Sequence, residues 1–552
     1  MIMRWPTIIL VVLTALFFSP AKCFAGLIEQ LAVSASGGAL GNAVVAYPEG
    51  SGALAVHYNP ASLSRLGTRF DNGLVFTRTR RVLEFTQGVD PDTGQKWAPF
   101  GGWFNEGRDP LDGTTGKQAS GYMVIPIIDY EIPYLAGAAM GISYQPPDPK
   151  SKWTFGFGQY APFAAGLKNA EEDPLSFLGQ KAFFLRMILA APAVSYRLTD
   201  TVAVGASVGL GVSLVSFGTN MRTPNTMVAL TGVLGETTEG FEIPVISELT
   251  LPPPWFNGGM TPYAKAAELE LMAEDYFTTS YNLGLLWEPV PWFAFGACYQ
   301  SESETTMEGD YEFTYGHEFQ RTVAWLGRSP LTIITAAMFD LPTSSVPTQN
   351  GKCTISMTWP ARLQLGIKLK PIKQVTFTCD AHWTDWESWP QFRIEFDQKI
   401  QMFRFARMLG YTGGPTTMIV NWGFENTWHL SYGLEIRPVK KFALRLGYEP
   451  RPTSNTDENF GPMPLSDMKI YSIGINVVVE DHPKPKPEGL RALLKQIEHP
   501  SAIDLSVSLV KFDNKHVGFN ESVNMNSTNF TKIVYNPYAG LEVDQEYSIW
   551  IY

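Results

Sequence analysis

Residues 201–217 read Thr-Val-Ala-Val-Gly-Ala-Ser-Val-Gly-Leu-Gly-Val-Ser-Leu-Val-Ser-Phe, and their alternation is the starting point for the fold. Val202, Val204, Ala206, Val208, Leu210, Val212 and Leu214 fall on one face of an extended chain. Thr201, Ala203, Gly205, Ser207, Gly209, Gly211 and Ser213 fall on the other. Side chains of a strand point alternately to its two faces, so this period-two pattern specifies a β-strand. A tilted strand crosses a bilayer in about 9–11 residues, and this one is long enough. In a soluble sandwich the larger residues would face a core, whereas in a membrane barrel they face lipid. One strand leaves both readings open, and repetition decides between them.

The pattern recurs in pairs joined by short turns. Ala182 to Tyr196 leads through Arg197-Leu198-Thr199-Asp200 into the strand above. Tyr281 to Trp287 turns at Pro289-Val290-Pro291 into Trp292 to Tyr299. Ala361 to Leu369 precedes Gln374 to Trp383, and Trp428 to Ile436 precedes Phe442 to Tyr448. Long segments separate the pairs: Gly218 to Thr278, Glu302 to Thr358, Glu387 to Glu425 and Pro450 to Asp467. Short turns on one side and long loops on the other mark an outer-membrane barrel. Thr68 to Phe85, Gly137 to Gln145 and Trp153 to Tyr160 complete the start, and Lys469 to Val479, Ile503 to Lys511 and Glu546 to Tyr552 the end. The total is about fourteen, an even number that returns the last strand to the periplasmic side. The expected fold is therefore all-β: a transmembrane antiparallel barrel over residues 67–552 with an N-terminal plug in its lumen.

The plug is expected in residues 26–66. That stretch is crowded with Gly37, Gly38, Gly41, Gly50, Gly52 and small alanines, yet it keeps Leu54, Val56, Tyr58, Leu63 and Leu66. It has too little apolar bulk for a domain of its own and too much for a flexible linker, so it suits a compact insert held inside something larger. Residues 1–25 read as a cleaved signal peptide, with Arg4 before the apolar run Ile8 to Phe18 and a small-x-small site at Cys23-Phe24-Ala25. Lys22 spoils a lipoprotein site, so no lipid anchor is expected. Two helices are expected in the connections, over Tyr263 to Ala273 and, on the periplasmic side, over Pro487 to His499.

Composition narrows the function classes. The formal charge is −11, and an acidic exported chain is not a nucleic-acid binder. Charged residues make up only 17% while Gly (49), Phe (34), Tyr (22) and Trp (15) are plentiful, which suits long strands with aromatic girdles. Cys298, Cys353 and Cys379, which remain after loss of Cys23, lie on separate elements and form neither a disulfide framework nor a metal cage. No cofactor is expected.

Short islands along the chain are Ser34-Ala35-Ser36-Gly37-Gly38, Gly41-Asn42-Ala43, Asn59-Pro60-Ala61, Gly156-Phe157-Gly158 with Ala161-Pro162-Phe163, Tyr196-Arg197-Leu198, Tyr281-Asn282-Leu283-Gly284, Tyr299-Gln300-Ser301, Thr384-Asp385-Trp386 and Arg445-Leu446-Gly447-Tyr448. In order and spacing they resemble the FadL/TodX family of outer-membrane transporters for long-chain fatty acids and other hydrophobic compounds. The resemblance implies a fourteen-stranded barrel closed by an N-terminal hatch, loops that collect the ligand, and a kink in the third strand that opens a route sideways into the membrane. By position the kink would fall near Gly156 and Gly158, which could equally be ordinary strand glycines.

Asn59-Pro60-Ala61 is expected to set a turn that latches the hatch, because Pro60 fixes its own φ and biases Asn59 away from helix. Arg445 alternates with Leu444 and Leu446 and so faces the lumen, where it would pair with a ligand carboxylate or with an acidic neighbour such as Asp380. Asp380 and His382 share the lumen face and lack an evident nucleophile, so they are candidate ligand contacts and not a catalytic pair. Trp255 and Phe256, after Leu251-Pro252-Pro253-Pro254, would form an outer collecting surface or pack under their own loop. The expected function is diffusive uptake of long-chain fatty acids, or next of aromatic or alkane hydrocarbons, by a monomer in contact with outer-membrane lipid. A structural or adhesin barrel and a lipid-acting barrel enzyme are the rival classes.

Overall fold

The computed structural model describes residues 33–552 apart from 100–106, 127, 149, 238–242, 247–248, 252–258, 329, 409–410, 412, 422–423, 455–465, 480–501 and 520–535. Fourteen antiparallel strands form its wall. They are β1 (Arg69–Gln87), β2 (Leu135–Tyr144), β3 (Trp153–Lys168), β4 (Lys181–Arg197), β5 (Val202–Met221), β6 (Ala267–Val290) and β7 (Phe293–Gln300). The second half is β8 (Arg362–Ile372), β9 (Val375–Thr384), β10 (Thr427–Val439), β11 (Phe442–Arg451), β12 (Met468–Val478), β13 (Ala502–Phe512) and β14 (Leu541–Ile551). Each pairs with its neighbour in sequence, and β14 returns to β1 with Thr77–Gln87 opposite Ile551–Leu541, so the barrel is closed. Closure leaves every interior strand with two partners, which is what a bilayer without hydrogen-bonding solvent demands.

The alternation read from the sequence places the two faces. On β6, Tyr281, Leu283, Leu285 and Trp287 are exposed to the outside while Asn282 and Leu286 are buried inside. On β5, Ala203 and Ser207 point inward and are buried, and Val208 is exposed. Trp153, Trp287 and Trp292 are exposed at the short-turn ends, as an interfacial aromatic belt requires.

The long connections are more regular than expected. The segment Tyr263 to Ala273 is not a helix: β6 begins at Ala267 and pairs there with β5 and with the outer segment Ser303–Tyr315. Its Glu-Leu-Glu-Leu run also alternates, with Leu269, Leu271 and Ala273 buried and Glu270 exposed, and two flanking ladders outweigh helix propensity. Further outer segments Thr348–Trp359, Gln391–Phe396 and Thr417–Asn421 carry the wall beyond the membrane band. An aromatic cluster that includes Phe163, Phe313, Trp359, Trp386, Trp389 and Phe396 fills that outer half. The helix expected over Pro487 to His499 lies outside the described residues.

Residues 33–66 fold into short helical turns inside the lumen: Ala35–Ala39, Pro48–Ser51, Gly52–Leu54, Ala55–Tyr58 and Pro60–Arg65. Nearly all of the segment is buried, with Val44, Ala53, Val56, Asn59 and Leu63 fully so. It is the expected plug over 33–66; residues 26–32 of that expectation, and the signal peptide expected over 1–25, lie outside the described residues.

Candidate functional site

The plug is fastened to the wall by polar side chains at matched heights. Asn59 caps the Pro60–Arg65 turn by accepting a hydrogen bond from the Ala61 N–H at 3.1 Å. Its Nδ2 donates to the Val45 carbonyl at 2.8 Å and to the Leu285 carbonyl of β6 at 3.0 Å. Ser195 of β4 donates to the Ala61 carbonyl at 2.9 Å, Ser207 and Asn282 both reach the Val56 carbonyl at 3.1 Å, and Gln300 donates to the His57 carbonyl at 2.7 Å. Asn59, Pro60 and Ala61 are thus brought together against β4, β5 and β6.

Small wall residues let the plug backbone come this close. A Cβ on Gly205 would stand 2.5 Å from the Ala61 nitrogen, one on Gly141 2.6 Å from the Ala53 carbonyl carbon, and one on Gly284 would collide with Asn59 Oδ1. Gly156 and Gly158 belong to the same set, facing Leu63 and Val56 of the plug with no space for a larger side chain at Gly156. This belt of inward glycines was not singled out from the sequence. Its signal was the small-residue face of the 201–217 strand, on which Gly205 sits.

The three other described candidates also lie on the wall against the plug. Asp380 Oδ2 accepts from the Val45 N–H at 2.8 Å. His382, two residues on, contacts Ser431 at 2.8 Å and stacks on His429. Arg445 donates from Nε to Glu435 at 2.8 Å and pairs with Asp504, while Tyr47 of the plug donates to the other Glu435 oxygen at 2.9 Å. The acidic neighbours of Arg445 are therefore Glu435 and Asp504 and not Asp380, because β10 and β13 present their carboxylates at its height. Trp255 and Phe256 lie outside the described residues.

A gap opens in the wall just beyond Gly156 and Gly158. β3 pairs with β2 only over Phe155–Gln159, opposite Tyr144–Met140. Beyond that, Leu135–Ala139 pairs only with β1, and the β3–β4 ladder shifts register twice between Gly158 and Phe163. Pro162 stands in this irregular stretch, and a proline cannot donate to a ladder. The two glycines themselves stay in register, so the departure lies at 159–163 and not at them. A strand proline was the available sign.

The gap leads into an apolar cavity of about 260 Å³. Val75, Thr77 and Thr79 of β1, with Tyr547, Ile549 and Ile551 of β14, line its lumen side. Phe183, Leu185 and Met187, on the outer face of β4, line its far side, so the cavity passes through the wall. Outside, it is covered by the hairpin Met123–Ile125 and Tyr130–Ile132, whose Val124 is buried in a cluster with Phe183, Leu185 and Leu214. Tyr122, just before the hairpin, bonds to Glu131 at 2.9 Å and to Ser216 at 3.1 Å and so pins the cover. Lumen-side Arg81 lies two residues beyond Thr79, and Arg186 lies between Leu185 and Met187. Arg186 is 4% exposed, and neither its Nε nor its Nη2 has a hydrogen-bond partner among the described residues.

Residues 16–482 match the sequence model of the family described as outer membrane protein transport protein (OMPP1/FadL/TodX). This chain belongs to that family. The FadL/TodX assignment places it in the Gram-negative outer membrane as a transport protein for hydrophobic compounds, in a family of channels and transporters. Among solved structures it is similar to a Pseudomonas aeruginosa FadL homologue, at 13% identity and a TM-score of 0.61, covering 96% of this chain and 99% of that one. It is also similar to the toluene transporter TodX of Pseudomonas putida, at 14% identity and a TM-score of 0.52, covering 95% and 97%. At such identities the likeness is one of fold. No curated protein matches the chain.

Proposed function

We propose that this FadL/TodX-family barrel delivers long-chain fatty acids sideways into the membrane through the slot between β2 and β3. The observation that carries the reading is an apolar cavity that crosses the wall where the strands part; Arg186 follows its lining residue Leu185 on β4, and Arg81 lies two residues beyond its lining residue Thr79 on β1. Burial of a hydrocarbon chain in such a slot is favourable by roughly 25 cal/mol per Å². Arg186 supplies a desolvated cation for a carboxylate, the role the sequence suggested for Arg445, whose charge is already matched by Glu435 and Asp504. Asn59, Pro60 and Ala61 latch the plug; Gly156 and Gly158 let it pack against β3 beside the slot, so that plug movement and slot opening are one event. The channel works as a monomer and performs no chemistry.

A hydrocarbon needs the slot but not the cation, and this separates the substrates. Uptake of labelled oleate and labelled toluene is measured in cells lacking their own transporters and expressing the wild type or Arg186→Gln. A charge-assisted hydrogen bond of about 1.5–3 kcal/mol predicts oleate uptake lowered at least several-fold, with toluene unchanged. Equal effects on both compounds would refute the carboxylate role of Arg186. Toluene uptake without oleate uptake in the wild type would make hydrocarbons the substrate class.

A further inference from the structure

On the inner wall, away from the slot, His382 of β9 and His429 of β10 are direct cross-strand partners. Their rings stack with centroids 4.7 Å apart and planes 13° from parallel. Glu449 of β11 joins them, its Oε1 3.0 Å from His429 Nε2. One ring nitrogen of each histidine and one oxygen of Glu449 all lie within 4.8 Å of one another. All three side chains are buried, and Nδ1 of both histidines lacks a hydrogen-bond partner among the described residues. A buried polar atom left unpaired is destabilising, and here two occur on adjacent strands, in rings of which His429 turns its Nε2 to the carboxylate.

We propose that His382, His429 and Glu449 form a site for a divalent transition-metal cation, with zinc the best fit. Two neutral imidazoles and a carboxylate are a set that zinc accepts, whereas calcium and magnesium require oxygen donors. Tetrahedral ligands at about 2.0–2.2 Å from zinc stand roughly 3.4 Å apart, so the three groups close by about an ångström on an ion. Ser431, 2.8 Å from His382 Nε2, fixes that ring as an outer partner. Charge around the site is near balance: Asp380 and Glu449 are both buried here, Arg451 brings a positive charge to Glu449 Oε1 at 2.6 Å, and buried Arg362 acts on His382 as well. An incoming ion competes with Arg451, which makes the site one of moderate affinity. It also competes for a carboxylate whose Oε2 accepts from Asn42 of the plug at 2.9 Å, so metal occupancy reports on plug seating.

The test uses the full chain purified in detergent, stripped with a chelator and titrated with Co(II) as a visible probe. The expected result is one Co(II) per chain with the intense absorption of tetrahedral coordination, displaced by one equivalent of zinc. His382→Gln and His429→Gln each weaken binding by ~10-fold or more, while His516→Gln, exposed outside and paired with Asp544, has no effect. Heat-modifiability on gels confirms that each variant is a folded barrel, and His382→Ala and His429→Ala provide a second pair if a glutamine variant misfolds. No tetrahedral spectrum in the wild type, or a spectrum retained in the folded His382 and His429 variants, would overturn the site.

Discussion

Replacing Asn59 with alanine removes three hydrogen bonds from the centre of the plug. The lost cap on the Pro60–Arg65 turn costs about 1 kcal/mol. The Val45 carbonyl loses its Nδ2 donor and, as a buried acceptor left unpaired, adds about 1 kcal/mol at the low end, while the Leu285 carbonyl stays in the β6 ladder and loses a second bond worth about 1 kcal/mol. The sum is about 3 kcal/mol taken from the plug and almost nothing from the wall ladder, since β6 keeps its own pairings. At about 1.4 kcal/mol per factor of ten, the opening that frees plug amides becomes roughly 100-fold more frequent. Amide hydrogen exchange in detergent reads this directly. The Asn59, Ser62 and Leu66 N–H groups, bonded to the Ala55, Asn59 and Leu63 carbonyls, should exchange about two decades faster. Amides of β5 and β6 should be unchanged. Plug amides within threefold of wild type would refute the latch, and equal acceleration of the wall would show that Asn59 supports the whole barrel.

Two further substitutions probe the same architecture. Gly205→Val places a side chain against the backbone of Pro60 and Ala61, so the plug cannot seat at its present depth; limited proteolysis should cut within 42–66 in the variant and not in wild type, with the barrel still heat-modifiable. Arg222 and Asp109 form a buried bidentate pair among the outer loops, at 2.8 and 3.0 Å, and Arg222 also donates to the Pro537 carbonyl at 2.7 Å. Arg222→Ala leaves a buried carboxylate, costing about 3–5 kcal/mol, and should expose the outer loops to protease without changing the membrane band.

The strand count was legible because a membrane barrel writes its alternation repeatedly, and each strand read from Thr68 to Tyr552 has its counterpart in the wall. The plug was legible from its small residues together with Leu54, Val56 and Leu63. What failed was local propensity: Tyr263 to Ala273 favours a helix in isolation, yet neighbours distant in sequence draw its second half into a ladder. The partners of Arg445 were hidden for the same reason, since Glu435 lies one hairpin away but Asp504 is 59 residues on. The slot was hidden more deeply. It arises where two ladders stop, and only Pro162, inside a run that otherwise reads as strand, hinted that pairing would break there.

If hydrophobic molecules leave sideways between β2 and β3, filling that slot must stop uptake. The most direct test is oleate uptake by cells carrying Ala161→Trp with Ala164→Trp, two slot-lining positions that would fill the cavity while leaving the plug contacts in place. Uptake should fall to the level of cells without the protein, although the variant is folded and present in the outer membrane in normal amount. Uptake at the wild-type rate through a filled slot would contradict it and require a path straight down the lumen.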